Sequence, residues 1–399
     1  MTKPKIAAIV TEYRPRSHAD VIVGKFLRAF PTDEGMRMPR VEIASMYLDQ
    51  VNPTDIGVET ARQFGVPIYP SILRALTLGG EELAVDGVLI IGEHGEYPLN
   101  EKGQKLYPRR HLFEQVTGVL STAKRAIPVF NDKHLAYNWL DAQWMYERAL
   151  ALGLPFMAGS SLPVCWRRPF LEYPLDTPLE AAVALGYGPL ESYGFHALET
   201  LQCMVERRQG GETGVAAVQC LKGEAVWRWL GAHPAHAALA QAAGEAILER
   251  EGSWADAPRL APEPWAFIVH YVDGLQAAVL MLNGYAQSFA FAGLAGGNIQ
   301  ACEFKLQGGN AHAHFSYLSL NIEEMFLTGK PTYPVERTLL TTGILAAAMD
   351  SRHQAHRVVP TPHLGITYTP AENVPHRPRG PEPAGATLDP WPPAGDALS

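Results

Sequence analysis

The chain has 399 residues, 47% hydrophobic and 19% charged, which excludes a disordered chain and at this length implies more than one core. Its formal net charge of −8 excludes a general nucleic-acid or anionic-membrane surface. The cysteines (Cys165, Cys203, Cys220, Cys302) are scattered without a CxxC spacing, which argues against a disulfide framework or structural zinc and suits a reducing cytoplasm.

Lys3-Pro4-Lys5 runs straight into a strand-like segment, with no apolar stretch of signal-peptide length. Residues 6–10 form a continuous apolar run typical of a buried parallel strand. The pattern then predicts a helix over 19–30, a strand over 41–48 ending at Asp49, a helix over 54–64 and a short strand over 66–69. A helix over 72–83 and an aliphatic strand over 87–91 follow, the strand running into Gly92-Glu93-His94-Gly95. A helix over 111–123 leads to the strand Pro128-Val129-Phe130, which opens into Asn131-Asp132-Lys133-His134. A helix over 140–152 and a strand over 155–158 complete the series. Strands alternating with helices at this spacing predict βαβ units and a parallel sheet. Right-handed crossovers would align the strand ends Val10, Asp49, Glu93 and Asp132 on one edge, where such sheets bind ligands.

After about Pro163 the pattern changes. Residues 265–272, 275–282 and 285–292 read as strands joined by Asp273-Gly274 and Asn283-Gly284, two dipeptides suited to tight hairpins. This predicts an antiparallel meander, extended by 302–306 and 314–320, with a long helix over 333–349 packing back. The longest uncharged run, within 274–305, is broken by Asn283-Gly284 and Gly296-Gly297, so no membrane span is expected. From Thr369 prolines dominate, predicting a tail that builds no core and is mobile or draped over a surface. The organisation is thus a Rossmann-like, doubly wound parallel-sheet domain over 1–160, an α+β domain with a mainly antiparallel sheet over 161–368, and a tail over 369–399.

Several residues stand out chemically. Glu93 and His94, with His134 and with Asp132, Glu12 or His18 nearby, suit a divalent zinc, manganese or iron ion, or else a polar crevice for substrate hydroxyls. Arg109-Arg110 and Arg167-Arg168 suit a clamp on an acidic substrate, or a solvated face or interdomain ion pair. His312 and His314 would share one face of a strand, as ligands or as a pair without function. Asp49 stands where such folds often place a ribose-binding acid.

Local features in order resemble the glucose-fructose oxidoreductase and inositol dehydrogenase family. Val85-Asp86-Gly87-Val88-Leu89-Ile90 looks like its fourth strand, and Phe64-Gly65-Val66-Pro67-Ile68-Tyr69 is similar to its "ygvp-y" element. Asn131-Asp132-Lys133-His134-Leu135-Ala136 resembles its lysine motif, and Tyr193-Gly194-Phe195-His196-Ala197-Leu198-Glu199 its histidine helix. The resemblance spans roughly residues 5–350 and implies Lys133 and His196 as catalytic groups beside Asp132, with Glu199 taking the place of the substrate-binding acid. It also implies NAD or NADP, a sugar, polyol or related hydroxy or keto substrate, and a homo-oligomer, dimer or tetramer, built on an exposed sheet face.

The chain departs from the family at Thr11-Glu12-Tyr13-Arg14-Pro15-Arg16-Ser17-His18, which replaces the glycine-rich loop that brings backbone N–H groups to a diphosphate. Glu12 would repel a diphosphate and Arg14 and Arg16 would attract one; Thr11, His18, Asp49, Glu93 and His94 complete the residues facing a cofactor. His134 replaces a proline, and Ser192 stands where an aspartate is expected. Two alternatives therefore stand beside an NAD(P)-dependent oxidoreductase: a metal-dependent hydrolase, lyase or isomerase that has lost the dinucleotide, and a non-catalytic ligand-binding subunit.

Overall fold

The computed structural model describes residues 2–307, 309 and 312–391; residues 392–399 of the expected tail lie outside the described residues. The first unit runs β1 (Lys5–Glu12), α1 (His18–Leu27), β2 (Phe30–Thr32), β3 (Gly35–Arg37), β4 (Glu42–Gln50), α2 (Gly57–Gln63), α3 (Ile72–Leu76), β5 (Gly87–Ile91), α4 (Arg109–Ala123), β6 (Val129–Asp132), α5 (Trp139–Ala151) and β7 (Phe156–Gly159). Its sheet has the order β4-β1-β5-β6-β7, and every pairing is parallel. Residues 6–10 and 88–91 are wholly enclosed, as strands covered on both faces must be. The order reverses between β1 and β5, so the crevice beyond their carboxyl ends is the switch point of the sheet.

Two predicted elements shrink. Residues 66–69 contribute only a bridge from Ile68 to Met46, because Pro67 has no N–H for a ladder. The helix expected over 72–83 ends at Leu76, where Leu78 (φ +48°) and Gly79 (φ +80°) turn left-handed.

The second unit comprises β8 (Trp166–Arg168), β9 (Leu179–Gly186), α6 (Ser192–Val205), β10 (Val215–Lys222), α7 (Glu224–Ala232), α8 (Pro234–Ala246), α9 (Ala257–Leu260), β11 (Trp265–Tyr271), β12 (Gln276–Met281), β13 (Phe289–Ala295), β14 (Asn298–Lys305), α10 (His314–Thr328), α11 (Glu336–His353) and β15 (Val359–Pro360). Its sheet runs β15-β10-β11-β12-β9-β13-β14-β8, antiparallel except for the β12–β9 pair.

The meander is half as expected. Asp273-Gly274 joins β11 and β12 as a hairpin, but β9 lies between β12 and β13. The Asn283 side chain bonds both backbone groups of Gly188, at 2.6 and 3.2 Å, tying the second turn to the end of β9 instead of folding β13 back on β12. Residues 314–320, expected as strand, open α10; their serines, Ser316 and Ser319, are three apart, and the helix is buried nearly all round. His312 and His314 therefore share no strand face, and His314 Nδ1 lies 3.1 Å from the Gln307 carbonyl.

The exposed sheet face that the resemblance implies is also covered. Phe267, Val279 and Phe291 pack with α6 and α11 on one side, while Val183, Ile268 and Leu280 pack with α7 and α8 on the other. The chain then returns to the first unit, as Leu318, Ile322 and Met325 of α10 share a core with Ile6, Ala8 and Val10. The tail is draped, with Arg377 on Glu172 at 2.7 Å, the Ala384 N–H on Asp33 at 2.9 Å and Trp391 beneath the ammonium of Lys25 at 4.2 Å.

Arg337 of α11 grips Glu206 at the end of α6 through two hydrogen bonds of 2.8 and 2.5 Å, both side chains buried. Arg337→Met would leave a buried carboxylate without its cation, with only the Tyr368 hydroxyl still donating to it, a cost of about 3–5 kcal/mol. Urea unfolding is expected to shift to lower concentration accordingly, and an unchanged midpoint would count against this pair as a lock between the helices.

Candidate active site

The turn after β6 is shaped by its own residues. Asn131 Nδ2 donates to the carbonyls of Asp132 and His134, both at 3.2 Å, and the Lys133 N–H donates to Gly159 O at 3.0 Å. These bonds hold Lys133 at φ +61°, a left-handed conformation uncommon for a residue with a side chain. His94 (φ +69°) and Arg16 (φ +61°), on the two neighbouring loops, share it. Such backbone persists only where the surroundings over-determine it, and it concentrates at functional sites.

Lys133 turns its ammonium inward to Glu93 Oε1 at 2.8 Å, while Arg109, the first residue of α4, reaches Glu93 Oε2 at 2.6 Å. All three side chains are buried. Burial by itself raises a carboxyl pKa, but the Lys133 and Arg109 charges outweigh it and hold Glu93 well below the usual carboxylate range. Arg109 also donates to His134 Nε2 at 3.0 Å, so His134 carries its proton on Nδ1. Burial, then the Arg109 charge, lowers the His134 pKa. Likewise Arg14 donates to His94 Nδ1 at 3.0 Å, and burial pushes His94 down to about 4, so it is neutral.

His196, in the first turns of α6, faces this cluster. Its pKa lies well below the ordinary value, first through burial and then through the Lys133 charge, which leaves a neutral imidazole able to accept a proton. His94 Nε2, His134 Nδ1, His196 Nδ1 and Asp132 Oδ1 are buried without hydrogen-bond partners among the described residues. Buried polar atoms are normally paired, so this concentration marks the place where a ligand would be received.

The structure thus brings together Lys133, His196, Asp132, Glu93, His94, His134, Arg109 and His18, with Arg14 and Glu12 at the rim. Thr11 laces the switch point shut, donating to Glu93 O at 2.8 Å. Glu199 lies behind the cluster on α6, accepting the Ser160 N–H at 2.8 Å. Gly159 must be glycine there, since its φ is +121° and a Cβ would stand 2.6 Å from Glu199 Oε1. Arg167 and Arg168 are elsewhere, on β8, where Arg167 pairs with Glu172 and Arg168 with Glu303 and Glu382. Asp49 is taken up by the Tyr47 and Tyr97 hydroxyls at 3.0 and 2.6 Å.

The proposed metal trio does not converge, because Glu93 and His134 are both committed to Arg109. Among the described residues no group of three or more His, Cys, Asp or Glu is placed to hold a metal ion. Sequence reasoning missed the His18–Asp132 contact, Glu191 beside His134 at 3.4 Å and Phe315 against His18 at 5.2 Å. Phe315 was hidden by the strand reading of its segment.

No protein-family model matches the sequence, and no curated protein matches it. Among solved structures, GenD2 from gentamicin A biosynthesis in complex with NAD superposes with a TM-score of 0.57 at 12% identity, covering 90% of this chain and 97% of that one. The apo scyllo-inositol dehydrogenase from Lactobacillus casei gives 0.56 at 10% identity, covering 90% and 98%. The myo-inositol dehydrogenase from Lactobacillus casei, in complex with NAD(H) and myo-inositol, gives 0.55 at 11% identity, covering 93% and 99%. This is the inositol dehydrogenase fold. It comprises both the parallel sheet and the mainly antiparallel one.

In folds of this kind a diphosphate sits on the backbone donors at the start of the first helix, reached over a glycine turn. Here Ser17 Oγ accepts the Asp20 N–H at 3.3 Å, and Asp20 Oδ2 accepts the Arg16 N–H at 2.9 Å. Tyr13 is wholly buried in the turn, so close to α2 that a Cβ on Gly57 would fall 2.7 Å from the Tyr13 Cβ. Arg14 is committed to Glu12 and His94. These residues do not form the seat that a diphosphate takes over a glycine loop.

Burial raises the Glu199 carboxyl from 4.5 to about 7, against the Ser160 hydrogen bonds and the Arg337 charge. A carboxyl whose value is higher folded than unfolded contributes stability that is complete below about 4.5 and is lost as pH rises through about 7. Denaturant midpoints measured across that range should therefore decline more in the wild type than in Glu199→Gln. Parallel declines would refute the assignment.

Proposed function

We propose that the chain is an oxidoreductase-like enzyme acting on a sugar, polyol or related hydroxy or keto compound at the Lys133–His196 cluster. The observation that carries this reading is Lys133 itself, held in left-handed backbone at the carboxyl edge of the sheet with its ammonium fixed by Glu93. A fixed ammonium polarises a substrate C–O group, and the neutral His196 accepts the hydroxyl proton. Arg109 keeps Glu93 charged, so Lys133 stays oriented when substrate enters. Glu199, through Ser160, braces the strand end beneath.

The fold likeness to dehydrogenases solved with NAD supports NAD or NADP as redox partner, which would supply hydride acceptance. The α1 terminus, by contrast, is closed by Ser17, Asp20 and the buried Tyr13. That closure favours a second reading, in which the same acid–base groups work without a dinucleotide as a lyase or isomerase. Calorimetric titration with NAD⁺ and NADP⁺ separates the two. Binding of either supports the oxidoreductase, and no binding at millimolar concentration sinks it. Where turnover is measured, Lys133→Ala and His196→Ala should each lower kcat by about 10²–10⁴-fold; wild-type rates in both variants would remove these residues from the chemistry.

We further propose a cytoplasmic enzyme, in keeping with four free, buried cysteines, and a dimer or tetramer joined by a surface other than the covered sheet face. Among the described residues no helix is long and apolar enough to cross a membrane. Light scattering that gives a monomer would contradict the assembly.

A further inference from the structure

One imidazole of the cluster has no part in the reaction above. His18, the first residue of α1, places Nδ1 2.7 Å from Asp132 Oδ2 at the end of β6. A carboxylate only accepts, so the shared proton belongs to Nδ1, and in the neutral ring the lone pair lies on Nε2. Asp132 is wholly buried, and its other oxygen has no hydrogen-bond partner among the described residues. Its side chain is thus engaged with His18 alone among them. The ring is fixed from three further sides: edge-on to Phe315 of α10 at 5.2 Å, edge-on to His94 at 5.8 Å, and nearly parallel to His196 at 6.4 Å with 27° between planes. It is the less enclosed member of the pair, with 13% of its side chain exposed, and Nε2 makes no hydrogen bond among the described residues.

A buried carboxylate, an imidazole held in one tautomer by it, and a free outward nitrogen are the parts of an activated base. We propose that His18, oriented by Asp132, is a second acid–base group of this site, so that the substrate carries two adjacent oxygen-bearing carbons, as a vicinal diol or an α-hydroxy carbonyl. The inference rests on the acid–base reading of the Lys133–His196 cluster. His196 serves one carbon and His18 its neighbour. At His18 a substrate O–H bond breaks, its electron pair stays on oxygen, and the proton forms an N–H bond on Nε2. The resulting imidazolium is balanced by the Asp132 carboxylate, and the proton returns by the reverse transfer. Asp132 acts through His18 and is a positioning residue.

The experiment uses full-length protein with ¹⁵N-labelled histidine and needs no turnover. In the wild type, His18 is expected to show a downfield proton on Nδ1 and a lone-pair nitrogen at Nε2. The proton is expected to be lost in Asp132→Asn, with the other histidine signals in place. Diethyl pyrocarbonate, mapped by peptide mass, should modify His18 before His196 in the wild type and modify His18 more slowly in Asp132→Asn. Myo-inositol or hydroxyacetone should protect His18, whereas cyclohexanol, with a single hydroxyl, should not.

A wild-type His18 protonated on Nε2 would overturn the dyad, even if the variant failed to fold. So would a His18 that the reagent cannot reach. Protection by neither two-oxygen probe, or equal protection by cyclohexanol, would overturn the substrate class. Failure to bind NAD⁺ or NADP⁺ leaves these readouts untouched, so the inference and the oxidoreductase reading fail separately.

Discussion

Everything at the carboxyl edge depends on one buried carboxylate. Glu93 lies between Lys133 and Arg109, and an ionised group so enclosed is tolerable only while both cations are in place. Each cation is in turn fixed by something else: Lys133 by the turn that Asn131 and Gly159 shape, Arg109 by its place at the start of α4. The ends of β5 and β6 and the start of α4 are thereby joined electrostatically. Because Arg109 also donates to His134, the tautomer of His134 follows from the same network. The polar groups are held in position before a substrate arrives, the condition under which fixed charges are effective.

The second constraint is the turn after β1. In a dinucleotide-binding sheet this turn is thin so that a ligand can approach the helix start. Here it is thick: Tyr13 fills its interior, Asp20 accepts the Arg16 N–H, and Thr11 bonds across to the next strand. The helix start is left to face β6 instead, where its first residue meets Asp132. The architecture is that of the inositol dehydrogenases, while the surface at the switch point belongs to this chain.

The parallel sheet was legible because buried strands are continuous apolar runs, and residues 6–10, 87–91 and 128–130 are of that kind. The strand ends that carry the site followed from the topology. The antiparallel half was less so. A glycine-containing dipeptide marks a turn but not the strand that will lie beside it, so Asn283-Gly284 could not announce that β9, from a hundred residues earlier, would take the neighbouring place. In α10, buried nearly all round, aromatic and aliphatic residues stand on every side of the three-residue serine spacing, which concealed the helix and with it Phe315. Of the site, Lys133 and His196 could be found by motif, and Glu93 by its place at a strand end. The pairing of His18 with Asp132 joins residues 114 positions apart, and nothing in local pattern links them.

The return of the chain to its beginning affects how it is made. The helix bearing His18 packs against α10 and, at its far end, against Trp391. On a ribosome the parallel sheet emerges before α10, yet one side of α1 stays bare until α10 and the segment bearing Trp391 follow. During that interval the unit is a sheet with an apolar helix flank exposed, the state in which nascent chains meet chaperones. Completion of the cluster thus waits on α10, made more than a hundred residues after Asp132, Lys133 and His196.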